Sequence, residues 1–208
     1  MKPVLLPLLL VIIFMAGGCK DGASIRVVNR SDHNLYVQVE NGSEVVIPGQ
    51  GEHNWDIDTD TESFLSGHVE KDVIVRIVGE TYHIFDEWEE VYTDSAQMVL
   101  RAGETRNVYI NPNRASIKIV NQSSQAMNGA VLYRHNFVNA STVAVLGELQ
   151  PGELIFKRVD YATPTTQFYY YAIVQMADGT VYEFGGPDSV LDKDQQLLIT
   201  LEDPEPQG

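Results

Sequence analysis

The chain has 208 residues, 29 of them acidic against 14 basic, for a formal charge of −15. A surface this negative repels nucleic acid and anionic lipid headgroups, so neither is expected as a partner of the folded part. The chain contains 1 cysteine, so no disulfide forms within it and stability has to come from buried apolar side chains.

Residues 1–18 read as a secretory signal. Lys2 supplies the positive start, Val4 to Met15 the apolar stretch, and Ala16-Gly17-Gly18 small residues ahead of Cys19. The apolar stretch is shorter than the ~18–20 residues that a membrane-spanning helix needs. Small residues ending at a cysteine resemble the lipobox of bacterial lipoproteins, although Ala16 stands where leucine is commoner. The resemblance implies that Cys19 becomes the lipidated N-terminus, that residues 19–22 are a short tether, and that acyl chains hold the protein on a membrane. Several acyl chains hold firmly where one does not. Lys20, rather than aspartate, after the cysteine implies the outer membrane if the source is Gram-negative.

An internal repeat orders everything that follows. Ala23-Ser24-Ile25-Arg26-Val27-Val28-Asn29-Arg30-Ser31 returns as Ala115-Ser116-Ile117-Lys118-Ile119-Val120-Asn121-Gln122-Ser123, at an offset of 92 residues. A period this long describes a domain, not a solenoid unit. The expected division is one module at 23–111, a linker at 112–114, a second module at 115–202, and a disordered acidic, proline-containing tail at 203–208.

Within the first copy, Ala23–Asn29 alternates as a half-buried strand does. Asn29-Arg30-Ser31 and its counterpart at 121–123 read as turns in which asparagine bonds its own backbone, in preference to glycan acceptors. Leu35–Val39 and Glu44–Ile47 are strands around Asn41-Gly42, a two-residue hairpin signal. Pro48-Gly49 turns the chain into Glu52–Ile57. Val69–Val78 is expected to fold back through Gly79-Glu80 onto Thr81–Phe85, before Gln97–Leu100 and Thr105–Ile110. The second copy offers Ala130–Tyr133, Val143–Leu149, Pro151-Gly152, Leu154–Val159, Gln167–Met176, a type I′ turn at Asp178-Gly179, Thr180–Phe184 and Gln196–Leu201. Short strands with regular turn signals and no helical period predict an all-β fold of two tandem Ig-like antiparallel β-sandwiches. The strand endings Val28-Asn29-Arg30-Ser31 and Val120-Asn121-Gln122-Ser123, the later Pro-Gly and a tyrosine-containing hairpin resemble small β-sandwich modules of exported bacterial proteins. That resemblance implies no particular activity.

Aligning the Pro-Gly pairs places about eleven extra residues in the second copy, around His135 to Thr142. Matching the hairpin threonines and the later Val-Leu pairs places extra residues in the first copy near Asp56 to Ser66 and Asp86 to Thr93. All three variable loops are expected at the pole where each module begins, and variable loops on a common scaffold are where function is carried.

Asp56, Asp58 and Asp60 put carboxylates at alternate positions, the pattern of a hard-cation site. Glu89, in a second acidic stretch, could complete a Ca²⁺ shell if the two loops share a pole. Thr61 and Gly67 break the EF-hand pattern, and a solvated acidic loop is the plainer reading. Apart from this Ca²⁺ reading, no cofactor is expected. Trp88, alone among charges, is a candidate partner-contact residue; Trp55 belongs to the first core. In Phe168-Tyr169-Tyr170-Tyr171, Tyr169 and Tyr171 share a face, where they either pack on the sheet or meet a partner. His33, His53, His68, His83 and His135 lack metal-ligand or triad spacing, and no nucleophile elbow or phosphate loop is present. The expectation is therefore a non-catalytic envelope module whose partners are the membrane, through Cys19, and an envelope protein or surface polymer. A Ca²⁺-dependent adhesive module is the alternative, and a hydrolytic enzyme has the least in its favour.

Overall fold

A computed structural model describes residues 22–59, 70–87 and 89–204. Strand β1 (Ala23–Asn29) buries every second residue, Ala23, Ile25, Val27 and Asn29, as its alternation requires. It lies between β4 (Glu52–Ile57), antiparallel, and β9 (Thr105–Ile110), parallel. Facing this three-stranded sheet is one of four strands: β3 (Val45–Ile47), β2 (Leu35–Val39), β5 (Glu70–Gly79) and β8 (Ser95–Arg101), in that order. Side chains such as Ile25, Leu35, Val37, Val75, Ile77 and Leu100 fill the space between, forming one core.

The second module repeats the plan strand for strand. β10 (Ala115–Asn121) lies between β13 (Leu154–Val159), antiparallel, and β16 (Gln196–Leu201), parallel. The facing sheet runs β12 (Ala140–Leu146), β11 (Met127–His135), β14 (Tyr169–Met176) and β15 (Val181–Gly185). Its core, with Ile117, Ile119, Leu132, Val174 and Ile199, is separate from the first. The fold is all-β, two tandem sandwiches with a parallel first-to-last pair closing each.

The repeated asparagines hold the corners. Asn29 is 1% exposed; its Oδ1 accepts the Ser31 N–H at 3.0 Å, and its Nδ2 donates to the carbonyls of His33, Ile47 and Pro48. Asn121, equally buried, accepts from the Ser123 N–H and donates to the carbonyls of Gln125 and Leu149. Buried and saturated, each ties the end of the first strand to the chain leaving the third strand, and neither is a surface acceptor for a glycan.

Several local expectations are corrected. The partner of β5 is β8; the expected return strand becomes β6 (Ile84–Asp86), which pairs only with β7 (Val91–Thr93) in a ribbon of its own. Gly79 does not supply a turn. A Cβ there would lie 2.7 Å from Tyr82 Cβ and 2.8 Å from Leu35 Cδ2, so the glycine permits close packing. The Pro-Gly pairs prove one residue out of phase, because Glu52–Ile57 corresponds to Leu154–Val159, an offset of 102. The left-handed turn position is Gln50 (φ 59°) in the first copy and Gly152 (φ 83°) in the second. At Asp178-Gly179 only the glycine has positive φ, and its N–H donates to the Met176 carbonyl at 3.0 Å, with Met176 N–H bonded to Thr180. That is a type I turn with a G1 bulge, not type I′. Around Asn41-Gly42 the chain makes a wider loop, with Glu40 at φ 50° and Val37 opposite Val45.

Candidate functional site

Cys19, Asp60 and Trp88 lie outside the described residues. Asp56 ends β4 opposite Ser24, and the Asp58 carbonyl accepts from Lys71 Nζ at 2.9 Å, so both sit at the pole where the first module begins. Glu89 lies in the β6–β7 turn, beyond the other end of β5. Ten residues of extended chain separate those ends by about 30 Å. The two acidic loops do not share a pole, and Asp56, Asp58 and Glu89 do not form one coordination shell. The pole assignment failed because the Thr81–Phe85 segment was counted as a strand of the main sheet. Among the described residues no three metal-ligating side chains come together.

Tyr169 and Tyr171 do come together, with partners from the neighbouring strand. The β11–β14 register sets Tyr133 opposite Tyr171 and His135 opposite Tyr169. Tyr133 and Tyr171 stack at 4.8 Å with 12° between planes; His135 stacks on Tyr169 at 4.9 Å; Phe137 meets Tyr169 edge-on at 5.4 Å. Val131, Ile173, Val145 and Val181 extend the same outer face, Val145 being 74% and Phe137 57% exposed. Burial first, then the neighbouring Tyr133, Glu183 and Tyr169, pushes the Tyr171 hydroxyl above its ordinary range; Glu183, opposite Ile173, is an exposed carboxylate on the same face. Tyr170 points the other way: it is 1% exposed and donates to the Asp160 carbonyl at 2.8 Å. The sequence located two of these aromatics; Tyr133, His135 and Phe137 join them only through strand pairing.

The face is held in a fixed attitude by a polar joint between the modules. Glu80, 1% exposed in the first module, accepts from Lys118 Nζ at 2.8 Å and Gln196 Nε2 at 2.8 Å, both of the second, and from its own Tyr36 hydroxyl. Arg158 grips Asp94 with both guanidinium nitrogens, at 2.6 and 3.3 Å, and donates to the Tyr82 carbonyl. Asp194 reaches back from the β15–β16 loop: Oδ1 accepts from Ser31 Oγ at 2.8 Å and Thr81 Oγ1 at 2.5 Å, and Oδ2 from the Asp32 N–H. It does so at φ 69°, a backbone conformation costly for a non-glycine residue. The linker itself is pinned: Asn113 and Arg114 both donate N–H groups to the Thr81 carbonyl, Asn113 pairs reciprocally with the His83 backbone, and Arg114 lies 4.2 Å over the Tyr92 ring. Tyr36 stacks on Phe156 at 5.9 Å. Desolvation would raise the Asp94 carboxyl, but the Arg158 hydrogen bonds and charge outweigh it and hold the carboxyl below its usual range. Burial, and then the Arg158 charge, lowers His83.

No protein-family model matches the chain, and no curated protein matches it. Among solved structures it is similar to a proposed cell adhesion protein of Bacteroides ovatus, at 12% identity and TM-score 0.36, covering 88% of this chain and 92% of that one. It is similar also to the Bacillus anthracis TIE protein, at 10% identity and TM-score 0.29 over 88% of this chain, which spans only 34% of that protein. A third is the tip fimbrial protein Mfa3 of Porphyromonas gingivalis, at 10% identity and TM-score 0.26, covering 79% and 81%. Likenesses at these values carry no inference about what this chain binds.

Proposed function

We propose that the chain is a non-catalytic envelope protein, held on a membrane through lipidated Cys19, in which the first module is a fixed stalk and the second presents its aromatic sheet face to another envelope protein. The observation that carries this reading is the composition of that face. Tyr133, Tyr169, Tyr171, His135, Phe137 and the adjoining valines and isoleucine form an aromatic and aliphatic patch, with Glu183 beside it, on a chain whose formal charge is −15. Enrichment in aromatics and depletion of charge mark the centres of protein–protein interfaces. The joint supports the stalk role, because a partner-binding face on a hinged module would lose affinity to orientational freedom.

The test is photo-crosslinking in the native envelope from a reactive group placed at Phe137. One discrete protein adduct is expected, lost in Tyr169→Ala/Tyr171→Ala while the second module keeps its melting temperature within a few degrees. A large drop in melting temperature with no adduct would make the aromatics sheet packing only, and an adduct to glycan would replace the partner class. Anchoring is read separately: Cys19→Ala should move the protein from the membrane to the soluble fraction.

A further inference from the structure

We infer that the cleft between the modules is a binding site for a small organic oxyanion, a carboxylate or phosphate group carried on a sugar-sized body. The cleft is about 420 Å³ and is lined by His83 of the first module, Arg114 of the linker, and Arg134, Lys157, Arg158 and Asp160 of the second. That volume lies within the range of small-ligand sites. Four cations line this cleft on a chain whose formal charge is −15.

Their charge is incompletely matched. Arg158 is taken by Asp94; Arg114 and Arg134 share one carboxylate, that of Asp160, at 3.0 and 3.4 Å. Lys157 is exposed and has no partner among the described residues. Four positive groups against two carboxylates leave an excess of positive charge in a recess flanked by protein. Such recesses concentrate anions by focusing the field. Hydroxyls of Ser141 and Thr142 line the same recess beside the apolar surface of Val143 and Phe156, so a ligand with a polar body and one apolar side is accommodated. Burial first, and then the Arg158, Arg114 and Lys157 charges against the opposing Asp94, disfavour a proton on His83.

The charge is a property of this copy and not of the sandwich. At the equivalent register the first module has Trp55-Asp56 where the second has Lys157-Arg158. A recess at that end of β4 in the first module is lined by Asp56, Asp58 and Glu104. Among the described residues, that end of the sheet is acidic in the first copy and basic in the second, where His83 of the other module adjoins it.

The test is calorimetric titration of the chain from Lys20 onward, which contains every described residue, with galacturonate, glucose 6-phosphate and, as neutral control, glucose. Binding of at least one anion, weakened by salt and absent for glucose, is expected. Lys157→Ala should weaken it roughly tenfold, the size of one charge-assisted hydrogen bond, without moving the melting temperature. Arg134→Ala should weaken it as well. Galacturonate alone would identify a carboxylate ligand and glucose 6-phosphate alone a phosphate ligand. Binding of neither, equal binding of glucose, or full binding by Lys157→Ala would overturn the assignment. Lys157 belongs to the three-stranded sheet, so the Lys157→Ala result does not bear on the aromatic face, which is the outer face of the four-stranded sheet.

Discussion

The same nine-residue echo does two different jobs in its two copies. In the second copy the Ser123 hydroxyl stays at home, donating to Asn121 Oδ1 at 2.7 Å. In the first, the Ser31 hydroxyl turns outward and meets Thr81 and Asp194 of the joint. Three residues into the strand, Arg26 pairs with Glu52 on an exposed sheet face, whereas Lys118 is buried against Glu80 of the other module. What the copies share is the buried asparagine and the alternating apolar face. What separates them is spent on docking: the β6–β7 insertion is followed by Asp94, and the longer β15–β16 loop delivers Asp194. Divergence between repeats has been directed into the contact between them.

The Arg26–Lys118 contrast gives the largest expected difference. Lys118 and Glu80 have side-chain exposures of 13% and 1%, so Lys118→Ala strands a buried carboxylate and should cost about 3–5 kcal/mol. The equivalent Arg26→Ala breaks a pair exposed at 43% and 53%, worth about 0–1 kcal/mol. Chemical denaturation of both variants measures the gap. Equal costs would mean that the joint is open in the free protein.

Next in size are Asp194 and the two equivalent serines, of which Ser31 meets it and Ser123 does not. Asp194→Ala removes three acceptor contacts and should cost about 2–3 kcal/mol at roughly 1 kcal/mol each, splitting one cooperative melt into two as the modules uncouple. Ser31→Ala should cost about 1 kcal/mol and shift the melt toward that split. Ser123→Ala should cost a similar amount but act on the second module alone. Asp194→Gly, free of the positive-φ penalty, should lose less than Asp194→Ala. An undivided melt in Asp194→Ala would remove that loop from the joint.

Much of the architecture was legible from residue types. The 92-residue echo, the alternation in Ala23–Asn29 and the regular turn signals were sufficient for two all-β modules, because half-buried strands leave a period of two in the sequence. The β6–β7 ribbon was not legible: Gly79-Glu80 looks like a turn, yet the glycine is there for contact with Leu35 and Tyr82, and the glutamate is buried by a module 38 residues further on. The joint was illegible for the same reason. Glu80, Asp94, Arg158 and Asp194 carry no local pattern, and their partners lie at separations of 38 to 163 residues. Tyr169 and Tyr171 were visible as one strand face; which rings they meet depended on register, which a single strand does not encode. The pairing of Asp56 with Glu89 failed because sequence shows that a loop is acidic without showing at which end of a ten-residue strand it sits.

The smallest effect separates the joint from the cores by pH. The folded chain holds Asp94 below its ordinary value of 3.8, Arg158 overcoming the desolvation that would raise it, with His83 and Arg76 adding to the pull. A carboxylate depressed in the folded state contributes stability that is present above its unfolded value and is lost as pH falls through the folded one. His83 is held below 6.5, by burial first and then by Arg158, with Arg114 and Lys157 adding and Asp94 opposing. The unfolded chain therefore binds a proton at His83 that the folded chain refuses, so stability declines as pH drops below about 6.5. Both groups act in one direction, and the joint should weaken with acid in two stages, one starting near pH 6.5 and one below about pH 4. In His83→Gln the upper stage should vanish and the lower remain. Denaturation midpoints taken across this pH range decide it. An upper stage that survives His83→Gln would take it away from His83, and a midpoint that rises on acidification would mean that neither Asp94 nor His83 governs the contact.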